Sequence, residues 1–262
     1  MSAIAERIEP MASTEAMRWG SLRNGLLLIA ALVAIWQLLY MWIGETALAS
    51  PAATLRYTAK LVTSETFMPH LRDTMLAFAV GYALAVVMGL AIGFWLGFHR
   101  LSGEVMEPMV VAVYSLPKVT LYPILLLAFG LGISAKIAFG TLHGVIPIIL
   151  FTLSAVRNVK PILIKTGRVL KLTPIQMVRS ILFPATLPEI FTGLRVGFAL
   201  TLIGTLLAEM FASQRGLGFL LMNGIGLHNV ELIMAITLLI VTFAAAVSTL
   251  LLHIDHRLHR RV

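Results

Sequence analysis

Four polar side chains stand inside stretches that are otherwise almost wholly apolar: Lys118, His143, Arg195 and Glu209. A charge held at the centre of a lipid-spanning helix costs about 2.5–3.5 kcal/mol, so each needs a partner or a task. Lys118 follows Pro117 and precedes Pro123, so the backbone there is expected to kink or break. Its ammonium either eases an anion along a translocation path or rests on a backbone carbonyl or a carboxylate. Arg195 lies near one end of its stretch and can snorkel to water. Glu209 lies near the other end, placed to pair with Arg215 or to join a gate. His143, among Gly140, Gly144 and Pro147, is either a packed histidine or a ligand contact. Such groups suit the passage of an ion and do not form a catalytic set. The chain has no cysteine, no Gly-x-x-x-x-Gly-Lys-Ser/Thr phosphate loop, no His-Glu-x-x-His zinc helix and no Gly-x-Ser-x-Gly elbow. No catalytic residue, metal ligand or cofactor, ATP and magnesium included, is expected in this chain.

The elements that carry these groups follow from composition. Of 262 residues, 59% are hydrophobic and 12% charged, against about 25% charged in an ordinary soluble domain. So few charges cannot cover a globular surface, and much of that surface faces lipid. The net charge of +8 is spread between apolar runs and gathers into no basic or basic-aromatic face, which argues against a nucleic-acid partner. Apolar runs at 25–43, 74–98, 109–131, 133–156, 190–212 and 232–254 predict an all-α integral membrane protein of about six transmembrane helices. Helices are required because backbone amides cannot stay unpaired in lipid.

Residues 1–24 hold Glu6, Glu9, Glu15 and three arginines, which is unlike a cleaved signal, so the first run is expected to remain as an anchor. Six spans put both termini on one side. That side, together with the 157–189 loop, carries thirteen basic residues. The other side carries five: Arg56, Lys60, Arg72, Lys136 and Arg215. The positive-inside bias therefore places both termini in the cytoplasm. Gly81, Ala85, Gly89, Gly93 and Gly97 share one helix face, suited to close packing within the subunit or to a dimer contact.

Residues 157–189 form a structured basic elbow and not a random loop. Pro161 is placed to start a helix running towards Leu170. Thr173 and Pro174 then form a helix-start signal, the first as cap and the second at the first helical position. The helix that follows sets Ile175, Val178, Ile181 and Leu182 on one side and is expected to end at Pro184. Two short basic amphipathic helices suit a partner protein or an anionic membrane surface.

The ordered set Val156-Arg157-Asn158-Val159-Lys160-Pro161, Pro174-Ile175-Gln176, Phe183-Pro184-Ala185-Thr186-Leu187-Pro188 and Thr192-Gly193-Leu194-Arg195 resembles the inner-membrane permeases of binding-protein-dependent ABC importers. Their nitrate/sulfonate/taurine branch is the nearest in pattern. Ser50-Pro51, Pro117-Lys118, Phe129-Gly130-Leu131-Gly132, Ala208-Glu209-Met210 and Gly216-Leu217-Gly218-Phe219-Leu220 extend the likeness over about residues 36–260. The resemblance implies the type I importer permease fold in the bacterial inner membrane. It divides the chain into a cytoplasmic segment 1–24, a permease domain 25–256 with its coupling segment at about 157–189, and a basic tail 257–262. It also implies a small, anionic solute such as nitrate, a sulfonate or taurine. The partners it implies are an ATP-binding cassette ATPase, a periplasmic substrate-binding protein and a second permease, homodimeric by default and heterodimeric as an alternative. Carried over by position, Lys165, Lys171, Thr173, Pro174, Ile175, Gln176, Val178 and Arg179 fall in the segment that docks on the ATPase. Lys118, His143, Arg195 and Glu209 fall on the path or its gate.

The sequence departs from the family pattern at one point. Where the pattern reads Glu-Ala-Ala, three residues and Gly, this chain reads Lys165-Thr166-Gly167 and then Lys171. An acid has become a base, and the residue expected to turn left-handed carries a side chain, at a cost of about 1 kcal/mol. The altered charge predicts an acidic counterpart on the ATPase or a second, different permease beside this one. Two rival readings lack their signatures. A secondary transporter is expected to show inverted repeats and acids at mid-membrane, and a membrane enzyme a cluster of catalytic groups at one depth.

Overall fold

The computed structural model describes residues 9–259; residues 1–8 and 260–262, with Arg7, Arg260 and Arg261, lie outside the described residues. Every regular element among the described residues is helical. Helix α1 (Glu9–Ile43) precedes a short turn, and Ser50 then caps α2 (Pro51–Val62) by accepting from the Ala53 amide at 3.2 Å. Helix α3 (Phe67–Phe98) is followed by α4 (Arg100–Ser115). A 3-10 turn (Lys118–Leu121) leads into α5 (Tyr122–Phe129), and α6 (Ile133–Arg157) comes next. The elbow contains α7 (Pro161–Val169), α8 (Pro174–Met177) and a π turn (Val178–Leu182) that runs directly into α9 (Phe183–Ala212). Helices α10 (Leu217–Gly226) and α11 (Val230–His259) complete the fold.

Among the described residues, five helical stretches are long and apolar enough to cross a membrane: Arg23–Ile43, Phe67–Phe98, Ile133–Arg157, Ile175–Ala212 and Val230–Asp255. The sixth run, expected at 109–131, is not one helix. Arg100–Ser115 and Lys118–Phe129 meet at 88°. Leu116, the residue before Pro117, is extended at ψ 141°, because the proline ring excludes helical geometry from the residue before it.

Helix α6 is the most buried of the long helices and packs between α3 and α9. The small-residue stripe of α3 makes that contact. Added Cβ atoms at Gly89, Gly93 and Gly97 would lie 2.6, 2.6 and 2.7 Å from Ile148, Thr152 and Val156. The pairing advances in the same direction on both helices, so α3 and α6 run parallel. The stripe therefore serves packing within the subunit. Without a hydrophobic drive between helices in lipid, such close approach supplies much of the attraction. Gly93→Leu is expected to overpack this contact and to destabilise the permease by about 1–3 kcal/mol. A melting midpoint in detergent equal to that of the parent protein would show that α3 is free to shift. On the opposite face of α6, Gly140 and Gly144 admit Thr205 and Thr201 of α9. Phe78, Tyr82, Phe198 and Phe243 then bind α3, α9 and α11 through edge and stacked ring contacts.

Candidate functional site

The elbow is built by local rules that its sequence satisfies closely. Helix α7 ends in paired bonds, Leu172 N to Gly167 O at 3.1 Å and Lys171 N to Arg168 O at 3.0 Å. This is a Schellman closure, and it turns on Lys171 at φ 51°. A lysine there carries the Cβ penalty that glycine avoids, so Lys171→Gly is expected to stabilise the elbow by about 1 kcal/mol. Slower amide exchange at 170–173 in the variant is the readout; faster exchange would contradict it.

The next helix opens with a reciprocal capping box. Thr173 N donates to Gln176 Oε1 at 2.9 Å, and Gln176 N donates to Thr173 Oγ1 at 3.4 Å. Pro174 is the first residue of α8. Pro184 does not end the helix that follows. The π turn sends the Phe183 amide to Val178 O, five residues back, so the ladder has already slipped where proline lacks its N–H. Elbow and span therefore form one continuous rod of 38 residues, Ile175–Ala212.

Gly167 lets α7 close on that rod, where a Cβ would meet Met177 Cε at 2.5 Å and Ile181 Cδ1 at 2.8 Å. Facing away from the bundle, Val169 is 80% and Ile175 79% exposed. Lys165, Lys171, Thr173, Gln176, Val178 and Arg179 are exposed around them. Val178, in addition, lines an apolar cavity with Phe94, Phe98 and Val156 of α3 and α6.

The polar groups inside the spans do not converge on a single point. Lys118 Nζ donates to Tyr114 O at 3.0 Å and lies 4.9 Å above the Tyr114 ring, at the break between α4 and α5. This is the backbone-carbonyl alternative. His143 is buried, with Nδ1 2.9 Å from Phe139 O. Since a carbonyl only accepts, the proton is on Nδ1. Gly204 leaves room for the ring, which meets Phe139 edge-on at 4.4 Å. Arg195 reaches Asp255 Oδ2 at 3.4 Å and ties α9 to α11.

Glu209 is the centre of a buried cluster at the end of the bundle away from the elbow. Its carboxylate accepts from Thr74 Oγ1 at 2.8 and 2.9 Å, from Gly218 N at 3.0 Å and from Lys136 Nζ at 3.4 Å. Thr74 Oγ1 accepts from Leu217 N at 2.8 Å, and Lys136 also donates to Arg215 O at 2.6 Å. Gly216 N donates to His70 Nδ1 at 3.1 Å. A carboxylate at the amide-rich start of α10 is favourably placed. A Cβ at Gly216, whose φ is 123°, would strike that carboxylate, so a side chain there is both strained and crowded.

The expectation that Glu209 pairs with Arg215 is corrected. Arg215 offers only its carbonyl, because its side chain projects from the exposed turn after α9. Lys136 is likewise not a loop residue of the positive-inside count: it lies within α6, 4% exposed. Sequence reasoning missed Lys136, Thr74 and His70 as partners. One signal was available: Lys136 lies three residues inside one end of its helix, and Glu209 three residues inside the matching end of an antiparallel neighbour.

Beside this cluster opens a cleft of about 410 Å³, lined by Asp73, Gly132, Lys136, Ser213, Gln214 and Arg215 among others. Among the described residues, no group of histidines and acids is arranged to hold a metal ion.

Residues 85–262 match the family model described as binding-protein-dependent transport system inner membrane component. The chain is 28% identical to an aliphatic sulfonates transport permease protein of Bacillus subtilis (strain 168), over 79% of this chain and 75% of the other. It is 30% identical to a nitrate import permease protein of Leptolyngbya laminosa, over 78% of this chain and 76% of the other. The fold also matches a chain of the MetNI methionine ABC transporter with a TM-score of 0.64 at 20% identity, covering 75% of this chain and 99% of that one.

Proposed function

This chain belongs to the binding-protein-dependent transport system inner membrane components, the permeases of ABC importers whose ATPase is a separate subunit, and on that premise we propose how it works. It forms half of a translocation path for a small anion and is driven through the elbow. The observation that carries the reading is the elbow itself, a capped helix pair continuous with a membrane rod. It exposes Val169 and Ile175, which nothing among the described residues covers. A rigid rod gripped at its end moves as a body, so closure of an ATPase dimer beneath the elbow would swing α9 and, through its packing, α6 and α3.

Both termini and the elbow face the cytoplasm in this reading, as the charge bias requires. The Glu209 cluster then lies at the periplasmic end, where a binding protein delivers the solute. A second permease closes the path, because one bundle leaves open whichever face lines it. Two copies of this chain are the simplest arrangement. The Lys165 departure calls for an acidic counterpart on the ATPase. Lys118 sits at the helix break as a path residue, while Arg195, His143 and Glu209 position the helices around it. The likeness to aliphatic sulfonate and nitrate permeases supports a small anion as solute.

Affinity purification in mild detergent tests the reading. An ATP-binding cassette subunit is expected to copurify and its hydrolysis to rise with the loaded binding protein. Proton-coupled uptake by this chain alone in liposomes would overturn it.

A further inference from the structure

His70 is held in a way that only its neutral ring allows. Its Nδ1 receives the Gly216 amide at 3.1 Å. A backbone N–H can only donate, so that nitrogen carries a lone pair and the ring proton is on Nε2. A second proton would go to Nδ1 itself, which then becomes a donor facing a donor. The ring is half-buried and lies flat against Phe219, with centroids 5.7 Å apart and planes at 4°. It therefore ties the first turn of α3 to the Gly216 turn and to α10. The charged groups that act on it are Asp73, three residues along α3, Arg215 beside Gly216, and Lys136 of α6. A protonated ring is drawn to Asp73 on its own helix and repelled by Arg215 and Lys136. Loss of the amide bond and repulsion from Arg215 act in the same direction, away from His70.

We propose that His70 is a positioning residue that acts as a pH-sensitive latch. Neutral, it holds the 213–216 turn and the start of α10 against α3; protonated, it lets them go. That turn supplies Ser213, Gln214 and Arg215 to the wall of the cleft beside the Glu209 cluster, so acid slackens the cleft itself. An imidazole in water titrates at about pH 6.5, which sets the switch in mild acid. The use of the latch in transport rests on the proposed orientation, which puts it at the periplasmic mouth, where the pH follows the surroundings. Glu209, which holds the Gly218 amide at 3.0 Å, can also take up a proton, so the test must separate the two groups.

The test follows amide exchange over residues 213–219 in the intact permease–ATPase assembly in lipid nanodiscs, corrected for the intrinsic rate at each pH. Protection in the parent is expected to fall at least about fivefold between pH 7.5 and pH 5.5, the weight of one ordinary hydrogen bond. His70→Asn offers the Gly216 amide a carboxamide oxygen that does not titrate, so its protection should stay level across that range. His70→Ala, with no acceptor, should match the acid-treated parent at both pH values. Constant protection in the parent, an equal fall in His70→Asn, which would assign the effect to Glu209, or full protection in His70→Ala at pH 7.5 would overturn the proposal. Copurification of the ATPase, scored in the same preparation, reports on the permease reading separately.

Discussion

Replacing Glu209 by alanine is expected to cost the folded permease about 3–5 kcal/mol, because it strands a buried ammonium. Lys136 is 4% exposed and has one remaining acceptor, the Arg215 carbonyl. The substitution also frees the amide of Gly218 and removes the acceptor of the Thr74 hydroxyl, so α10 loses its polar tie to α9 and keeps those of Leu217 and Gly216 to α3. By the usual scaling this lowers the melting midpoint by at least about 6 °C. The double variant Lys136→Met, Glu209→Leu removes both charges and should regain a good part of the loss, since apolar replacement of a buried pair is often tolerated. Recovery stays incomplete because the Gly218 amide remains without its acceptor. Size-exclusion profiles after heating in detergent measure both effects. A single variant that melts within about 2 °C of the parent would mean that the cluster contributes little to holding the far end together.

Ile175→Asp is expected to reduce binding-protein-stimulated ATP hydrolysis at least about tenfold while leaving the melting midpoint of the isolated permease unchanged. Ile175 is 79% exposed, so nothing inside the chain depends on it. Docked against a partner it becomes buried, and an unpaired carboxylate taken from water into such a contact is strongly disfavoured. The pairing of the two readouts separates docking from folding. Stimulation at the parent level would remove the elbow from the mechanism. A parallel loss of thermal stability would show that Ile175 supports the fold instead.

The legible parts of the structure share one physical character: they are decided by residues close together in the chain. Lipid forces apolar runs into helices, so the spans could be placed from hydropathy alone. Proline before Lys118 marked a break, and the helices there meet at 88°, because proline's restraint on the preceding residue is local. Thr173 with Gln176, and Lys171 in its left-handed turn, are likewise settled within a few residues. The elbow's far boundary was misjudged at Pro184 for an instructive reason. A π turn had already shifted the hydrogen-bond ladder, which a rule about proline in an ordinary helix does not foresee.

Sequence by itself determined that this is a helical membrane protein with a structured basic elbow between two spans. Only the tertiary structure decided who partners whom. It gave Glu209 to Lys136, Thr74 and the start of α10, and it pressed the α3 stripe against α6. It also left Asp73 and Arg215 facing one cleft without a bond between them. The physical reason is that helix periodicity fixes which face a residue occupies, whereas depth, rotation and the choice of neighbour arise from packing among segments distant in the chain.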